Sequence, residues 1–181
     1  MKKLLCTMVA LGGMIAALPA CSTEPKTAAE KSTLSANTDA ALVSFKNADP
    51  SLAEVLNKSA GYVVFPEVGK AGFVIGGANG RGELYQNGVK IGYADISQAT
   101  IGLQAGAQTF SELIVFLSNE QLEKFKTGKF EFAANVSAVA AKAGAAGTAD
   151  YSKGAVAFTQ TKGGLMAEAA IGGQKFNYKP Y

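Results

Sequence analysis

The stretch GYVVFPEVGKAGFVIGGANGRGELYQNGVKIGY, residues 61–93, decides the fold. Tyr62-Val63-Val64-Phe65 is a β-branched and aromatic run, and Pro66, which cannot donate to a ladder, predicts its end. Ala71 to Ala78 reads as a second strand. Asn79-Gly80 tolerates positive φ at both positions and therefore reads as a tight hairpin turn. Gly82 to Tyr85, the dipeptide Asn87-Gly88 and Val89 to Tyr93 repeat the pattern. Strand, turn, strand, turn, strand predicts an antiparallel meander.

Upstream, the periodicity is helical. Thr38 or Asp39 can cap a first short helix carrying Leu42, Val43 and Phe45. Asp49-Pro50 supplies a second start, with an acid before a proline at the first helical position. Leu52, Val55 and Leu56 then share one face, and Gly61 lies beyond the end. This helix pair packs on a sheet or, alternatively, inserts into a membrane surface.

Downstream, Thr100 to Gln108 alternates apolar and small or polar residues and predicts one strand, with Gly102, Gln104, Gly106 and Gln108 on a face open to a packed helix or a ligand. Leu113 to Leu117 is apolar on both faces and belongs in the sheet centre. Ser118 and Gln121 have capping-box spacing before Leu122 and Phe125, and Gly128 closes that helix. Phe130 to Ala141 keeps one apolar parity, so it reads as a strand although its alanines favour helix. Gly144 to Ser152 reads as a loop. Ala155 to Gln160, Leu165 to Ile171 and Lys175 to Tyr178 complete the strands. The expected fold class is α+β: a predominantly antiparallel curled sheet or open barrel with two short N-terminal helices and one mid-chain helix.

The first 21 residues carry a different signal. Lys2 and Lys3 precede an apolar run from Leu4 to Leu18, and Leu18-Pro19-Ala20-Cys21 follows, which has the layout of a secretory signal. It is too short and too rich in Gly and Ala to span a bilayer. The ending resembles the lipobox of bacterial lipoproteins, which implies cleavage after Ala20 and acylation of Cys21. Several acyl chains anchor stably where one binds marginally. The expected organisation is a signal peptide over 1–20, a lipidated cysteine and disordered tether over 21–37, and one domain over 38–181. The Ser/Thr/Lys/Glu-rich tether, with almost nothing apolar, gives a reach of roughly 20 Å. Ser22 after the cysteine, with no acidic residue there, resembles outer-membrane sorting signals and points to an outer-membrane anchor facing the periplasm.

The chain has 181 residues with 17 basic and 14 acidic ones and no histidine. Losing Lys2 and Lys3 leaves 15 basic residues against the 14 acidic, so no clustered basic footprint argues for nucleic acid. Without histidine, and with Cys6 removed and Cys21 acylated, the usual nucleophile–base pairs and zinc ligands are missing. Asp95, Glu112 and Asp150 are candidate carboxylates, but spacing pairs none of them. Gly77 to Gly82 has the order G-x-x-G-x-G and leads into a strand, so it lacks the helix N-terminus a phosphate loop requires. No catalytic residue, metal site or cofactor is expected.

Three linked segments carry a resemblance. They are Gly61 to Phe73 leading into Gly76-Gly77 and Gly80-x-Gly82; Ala99-Thr100-Ile101-Gly102-Leu103-Gln104-Ala105-Gly106-Ala107-Gln108; and Tyr151 to Phe158 with Leu165-Met166-Ala167-Glu168. In this order and spacing they resemble the SYLF domain family over roughly residues 40–180. The resemblance implies a lipid-binding module, also described in eukaryotes as an actin-binding domain, that uses basic residues and an amphipathic N-terminal helix. Lys46 and Lys58 are the cations of the matching helical region, and Lys70 matches the basic position after the first strand. With Arg81 they form the candidate lipid-binding set.

The expected function is a membrane-anchored, non-catalytic phospholipid-binding domain of the bacterial envelope. Its partner is then a phospholipid membrane and not nucleic acid, with any protein partner unknown. The alternatives are a structural envelope lipoprotein binding a protein or peptidoglycan, and a small outer-membrane β-barrel.

Overall fold

The computed structural model describes residues 23–72, 75–101, 107–130, 136–161 and 173–181. Helix α1 (Ala28–Ala48) and helix α2 (Leu52–Lys58) precede strands β1 (Gly61–Gly72), β2 (Ile75–Gln86), β3 (Val89–Ile101) and β4 (Ala107–Phe116). Helix α3 (Asn119–Lys126), strand β5 (Val136–Ala140), helix α4 (Ala145–Thr148), strand β6 (Ala155–Thr161) and strand β7 (Gln174–Pro180) follow. The strands form one open sheet in the order β5-β6-β4-β1-β2-β3-β7. Every described pairing is antiparallel except β5 with β6, which is parallel.

Asn87-Gly88 turns as its sequence predicts. Both residues have positive φ, 52° and 74°, and Gln86 pairs with Val89 across the two-residue loop. Asn79-Gly80 does not turn. It lies inside β2, where Asn79 pairs with Gly69 and Ser97. The glycines serve close strand approach instead. A Cβ on Gly80 would sit 2.6 Å from the Glu67 carbonyl, and one on Gly82 would strike the Val64 carbonyl and stand 2.7 Å from the Phe65 ring. Both contacts lie where β1 is bulged, with register shifts between Val64 and Glu67 against β2 and between Phe65 and Val68 against β4. Pro66 sits in that bulge, so it interrupts the ladder without ending the strand.

Other expectations change as well. The predicted strand over Thr100 to Gln108 is divided between the end of β3 and the start of β4, which pair with β2 and β1 respectively; residues 102–106 between them lie outside the described residues. Of Phe130 to Ala141, Val136 to Ala140 forms β5, and residues 131–135 are not described. The expected strand over Leu165 to Ile171 also lies outside the described residues, whereas Lys175 to Tyr178 falls within β7. The loop over Gly144 to Ser152 contains the single turn of α4.

The largest correction concerns the tether. The chain is helical from Ala28, and α1 runs 21 residues rather than forming a short helix from Thr38. Thr27 caps it: its hydroxyl accepts the Glu30 N–H at 3.1 Å and the Glu30 carboxylate accepts the Thr27 N–H at 3.4 Å. Thr38 sits mid-helix and fully buried. The N-terminal half of α1 shows no apolar stripe because much of what it meets on the sheet is polar. Asp49 is the C-cap of α1, and Ser51, not Asp49, is the residue before α2.

Two apolar clusters cover the two faces of the sheet. Alternation along β4 sends Leu113 and Val115 to the cluster under α1 and α2, with Phe45, Leu52, Leu56, Val64 and Phe158. Ile114 and Phe116 join the opposite cluster, with Phe65, Leu122, Phe125, Phe130 and Phe176. That second face is concave. In a flat sheet β4 and β7 would stand about 19 Å apart, four strand spacings of ~4.8 Å. Yet the Gln174 side chain on β7 donates to Glu112 on β4 at 3.1 Å, and the rings of Phe65 and Phe176 lie 5.9 Å apart. Helix α3 bridges the mouth of the curl through Phe125, whose ring packs at a tilt against both Phe116 and Phe176.

Candidate functional site along helix α1

Helix α1 crosses the convex face from the β3/β7 side toward β6. At its start Glu24 accepts hydrogen bonds from Lys31 and Lys179, both at 2.6 Å, and these hold its carboxyl down at about 2. Lys31 also lies over the Tyr93 ring, 5.6 Å from its centroid. Toward its other end Ser44 donates to Gln160 on β6 at 2.8 Å.

On one flank of α1 stands a charged cluster. Glu83 on β2 is 1% exposed. Its carboxylate accepts Tyr181 Oη at 3.0 Å and pairs with Lys90 Nζ at 3.1 Å. Lys90 also reaches Asp39 on α1 at 3.1 Å and donates to Ser35, and Tyr85 Oη donates to Asp39 at 3.2 Å. Burial, then the neighbouring Glu83 charge, pushes the Tyr85 and Tyr181 phenols far above their ordinary range. Burial pulls the Lys90 ammonium down, but its hydrogen bonds to Asp39 and Glu83 outweigh it and hold the group charged. One ammonium is shared by two carboxylates while two phenols stay protonated. This arrangement pins the helix; it presents no free nucleophile.

The other flank is open. A groove of about 380 Å³ lies between α1 and the sheet, lined by Pro25, Ala29, Glu30, Thr33, Leu34, Asn37 and Arg81. Beyond Asn37 it adjoins a second hollow of about 490 Å³ lined by Ala40, Ala41, Ser44, Ser111, Gln160 and Thr161. Small side chains on α1 keep the walls low. Pro25, Ala29 and Leu34 make the first compartment mainly apolar, with Arg81 as its cation and Glu30 as its anion. Backbone N–H groups of Lys26 and Thr27 chiefly hold the Glu30 carboxyl below its usual range, with Arg81 adding to them.

The cations expected from sequence occupy separate places. Arg81 lines the groove beneath residues 29–37 of α1. Lys46 is exposed in the last turn of α1, nine residues beyond Asn37 and thus about 13 Å further along the axis. Lys58 is exposed at the end of α2 and pairs with Glu54 at 2.5 Å. Lys70 is half-buried on β1, opposite Gln108 and Ala78. Cys21 lies outside the described residues. Of the candidate carboxylates, Asp95 accepts from Thr23 and from Asn177, Asp150 caps the Ser152 N–H at 3.0 Å, and Glu112 is buried on the concave face. Among the described residues no group of acidic, histidine or cysteine side chains is arranged to hold a metal.

Sequence reasoning missed the groove and the Asp39–Lys90–Glu83 cluster. One signal was present: Thr27-x-x-Glu30 is a capping box inside the supposed tether, and it places Asn37 and Asp39 on an ordered helix. No local pattern marks Glu83 as buried or Lys90 as its partner.

The family match covers strands β4 to β7 but not helix α1, whereas the alignment with a relative takes in most of the chain. Residues 97–179, from the second half of β3 to β7, match the family described as Ysc84, Las17-binding protein actin regulator. The chain is also 28% identical over 154 residues to Beta cell expansion factor A of Aeromonas veronii, an alignment covering 84% of this chain. The chain spans 59% of the length of that relative.

Proposed function

We propose, from the match of residues 97–179 to the Ysc84 (SYLF) family, that the protein is a non-catalytic phospholipid-binding domain of the bacterial envelope. The groove along α1 carries this reading, because it combines an apolar wall with the Arg81 guanidinium. Pro25, Ala29 and Leu34 can line an acyl chain while Arg81 meets a phosphate, a pairing a planar fork of donors suits. Lys46 near the end of α1 and Lys58 at the end of α2, both exposed, add long-range attraction to an anionic surface, at about 1 kcal/mol each close to the membrane. Acylation of Cys21 supplies the standing anchor: only a few residues separate it from the cap at Thr27, so the groove operates close to the bilayer. The family description names an actin regulator, but this reading invokes no actin contact.

The test is co-sedimentation of the chain from Ser22 onward with vesicles of phosphatidylglycerol and phosphatidylethanolamine, against vesicles of phosphatidylcholine alone. Binding to the anionic set that weakens with salt supports the reading. Equal binding to both sets, or to neither, ends it. Separately, Cys21→Ser in the full chain should move the protein out of the membrane fraction, and an unacylated native N-terminus by mass spectrometry would remove the anchor.

A further inference from the structure

Glu112 is wholly buried on the concave face, opposite Phe65 on β1 and Thr159 on β6. The described side chains directed to that face around it include Phe65 and Val68 from β1, Phe110 and Ile114 from β4, Thr159 from β6, Ile96 and Gln98 from β3, and Gln174 and Phe176 from β7. None of these is charged; Lys70 lies two positions beyond Val68 on the same strand. Among the described residues, burial raises the carboxyl and the Gln174 hydrogen bond lowers it; burial prevails and pushes it up to about 8.

The hydrogen bonding of the pair is incomplete as a carboxylate would make it. Gln174 Nε2 donates to Glu112 Oε2 at 3.1 Å. The other oxygen of each side chain, Glu112 Oε1 and Gln174 Oε1, is buried with no partner. Two orphaned acceptors on one interacting pair are costly in a low-dielectric core. One proton on Glu112 Oε1, donated to Gln174 Oε1, satisfies both and closes an acid–amide ring.

We infer that Glu112 and Gln174 share that proton, and that the ring is a pH-sensitive clasp holding edge strand β7 to β4 across the concave face. Within the described residues β7 is tied to the sheet along one side only, by its pairing with β3. The clasp and the Phe65–Phe176 and Phe125–Phe176 contacts hold its other side chains inward. Ionisation of Glu112 loses the donated bond, sets a carboxylate against the amide oxygen and leaves a charge unpaired in an aromatic core. Because the open form ionises near the ordinary carboxylate value, alkali favours release of β7.

The experiment is hydrogen exchange by mass spectrometry on the full chain and on E112Q from pH 5 to pH 9.5, corrected for intrinsic rates. In the wild type the opening constant of peptides covering 174–180 should rise about tenfold per pH unit to about pH 7.5, then level off above about pH 8. Peptides from β2 should not share that slope. E112Q keeps an amide–amide ring without a titrating proton, so its β7 opening should be flat. The same slope in E112Q and wild type would overturn the clasp. An infrared carbonyl band of a protonated carboxylic acid supplies a second readout. It should be present in the wild type below pH 7 and shifted in Q174L, which tests the proton even if E112Q does not fold. No such band, or one that Q174L leaves in place, would equally overturn the inference.

Discussion

The carboxylate of Asp49 accepts the backbone N–H of Ala146 at 2.6 Å, joining residues 97 positions apart. It also accepts the Gly144 N–H at 3.2 Å, the Ser51 N–H at 3.1 Å and the Ser51 hydroxyl at 2.6 Å. One buried acid therefore stitches the α1–α2 corner to the segment between β5 and β6. Burial raises its pKa, but the hydrogen bonds from Ser51, Ala146 and Gly144 outweigh this and lower it overall.

Asp49→Ala should cost about 2–4 kcal/mol, since it strands the buried Ala146 N–H as well as removing a charge-assisted network. Because the folded-state pKa is depressed, the Asp49 contribution is present above the unfolded value and fades as pH falls through the folded one. Denaturant titrations at pH 7 and pH 3 should show a smaller mutant–wild-type gap in acid. An equal gap at both would mean that the carboxylate charge is not the stabilising feature.

The bulge in β1 gives a contrast within one sheet. Gly82→Ala meets the Val64 carbonyl and the Phe65 ring, so it should destabilise by about 3 kcal/mol or more, or prevent folding. Gly69→Ala has nothing within 4 Å of the new methyl and should lie within about 0.5 kcal/mol of wild type. Thermal midpoints of the two variants measured side by side decide this, and comparable losses would refute the close-approach account.

Lys90 is the partner of a carboxylate that has almost no water. Lys90→Met should cost about 3–5 kcal/mol, because it leaves the Glu83 charge buried without its cation. Adding Glu83→Gln to Lys90→Met should recover much of that loss. The Lys90 pKa is raised, so its contribution holds through neutral pH and disappears only as alkali deprotonates it. Chemical denaturation of the single and double variants provides the cycle; a double variant weaker than the sum of the singles would contradict it.

The groove makes its own prediction. Ala29→Trp places an indole in the first compartment from an exposed helix position, so stability should change little while vesicle binding drops several-fold. Arg81→Gln should weaken binding to anionic vesicles and flatten its salt dependence. Sedimentation with both vesicle sets measures each effect, and unaltered binding in Ala29→Trp would show that lipid does not enter the groove.

Local chemistry in the sequence determined a good deal by itself. The Asn87-Gly88 turn, the doubly buried run from Leu113, the Ser118 cap of α3 and the α+β character all follow from short-range rules of φ, capping and alternation. The tertiary structure decided the rest. Asn79-Gly80 has the composition of a turn but stays in a strand, because the bulge at Pro66 demands neighbours without side chains. The first half of α1 looks like a solvated tether by composition, yet it is ordered because Glu24, Ser35 and Asp39 find Lys179, Glu83 and Lys90 on distant strands. Glu112 reads as one more carboxylate until the sheet curls and brings Gln174 to it across three intervening strands. A single sequence records which residues prefer to be buried or to turn; it does not record which polar groups the curl of a sheet will make neighbours, and that decides where buried charge and protons reside.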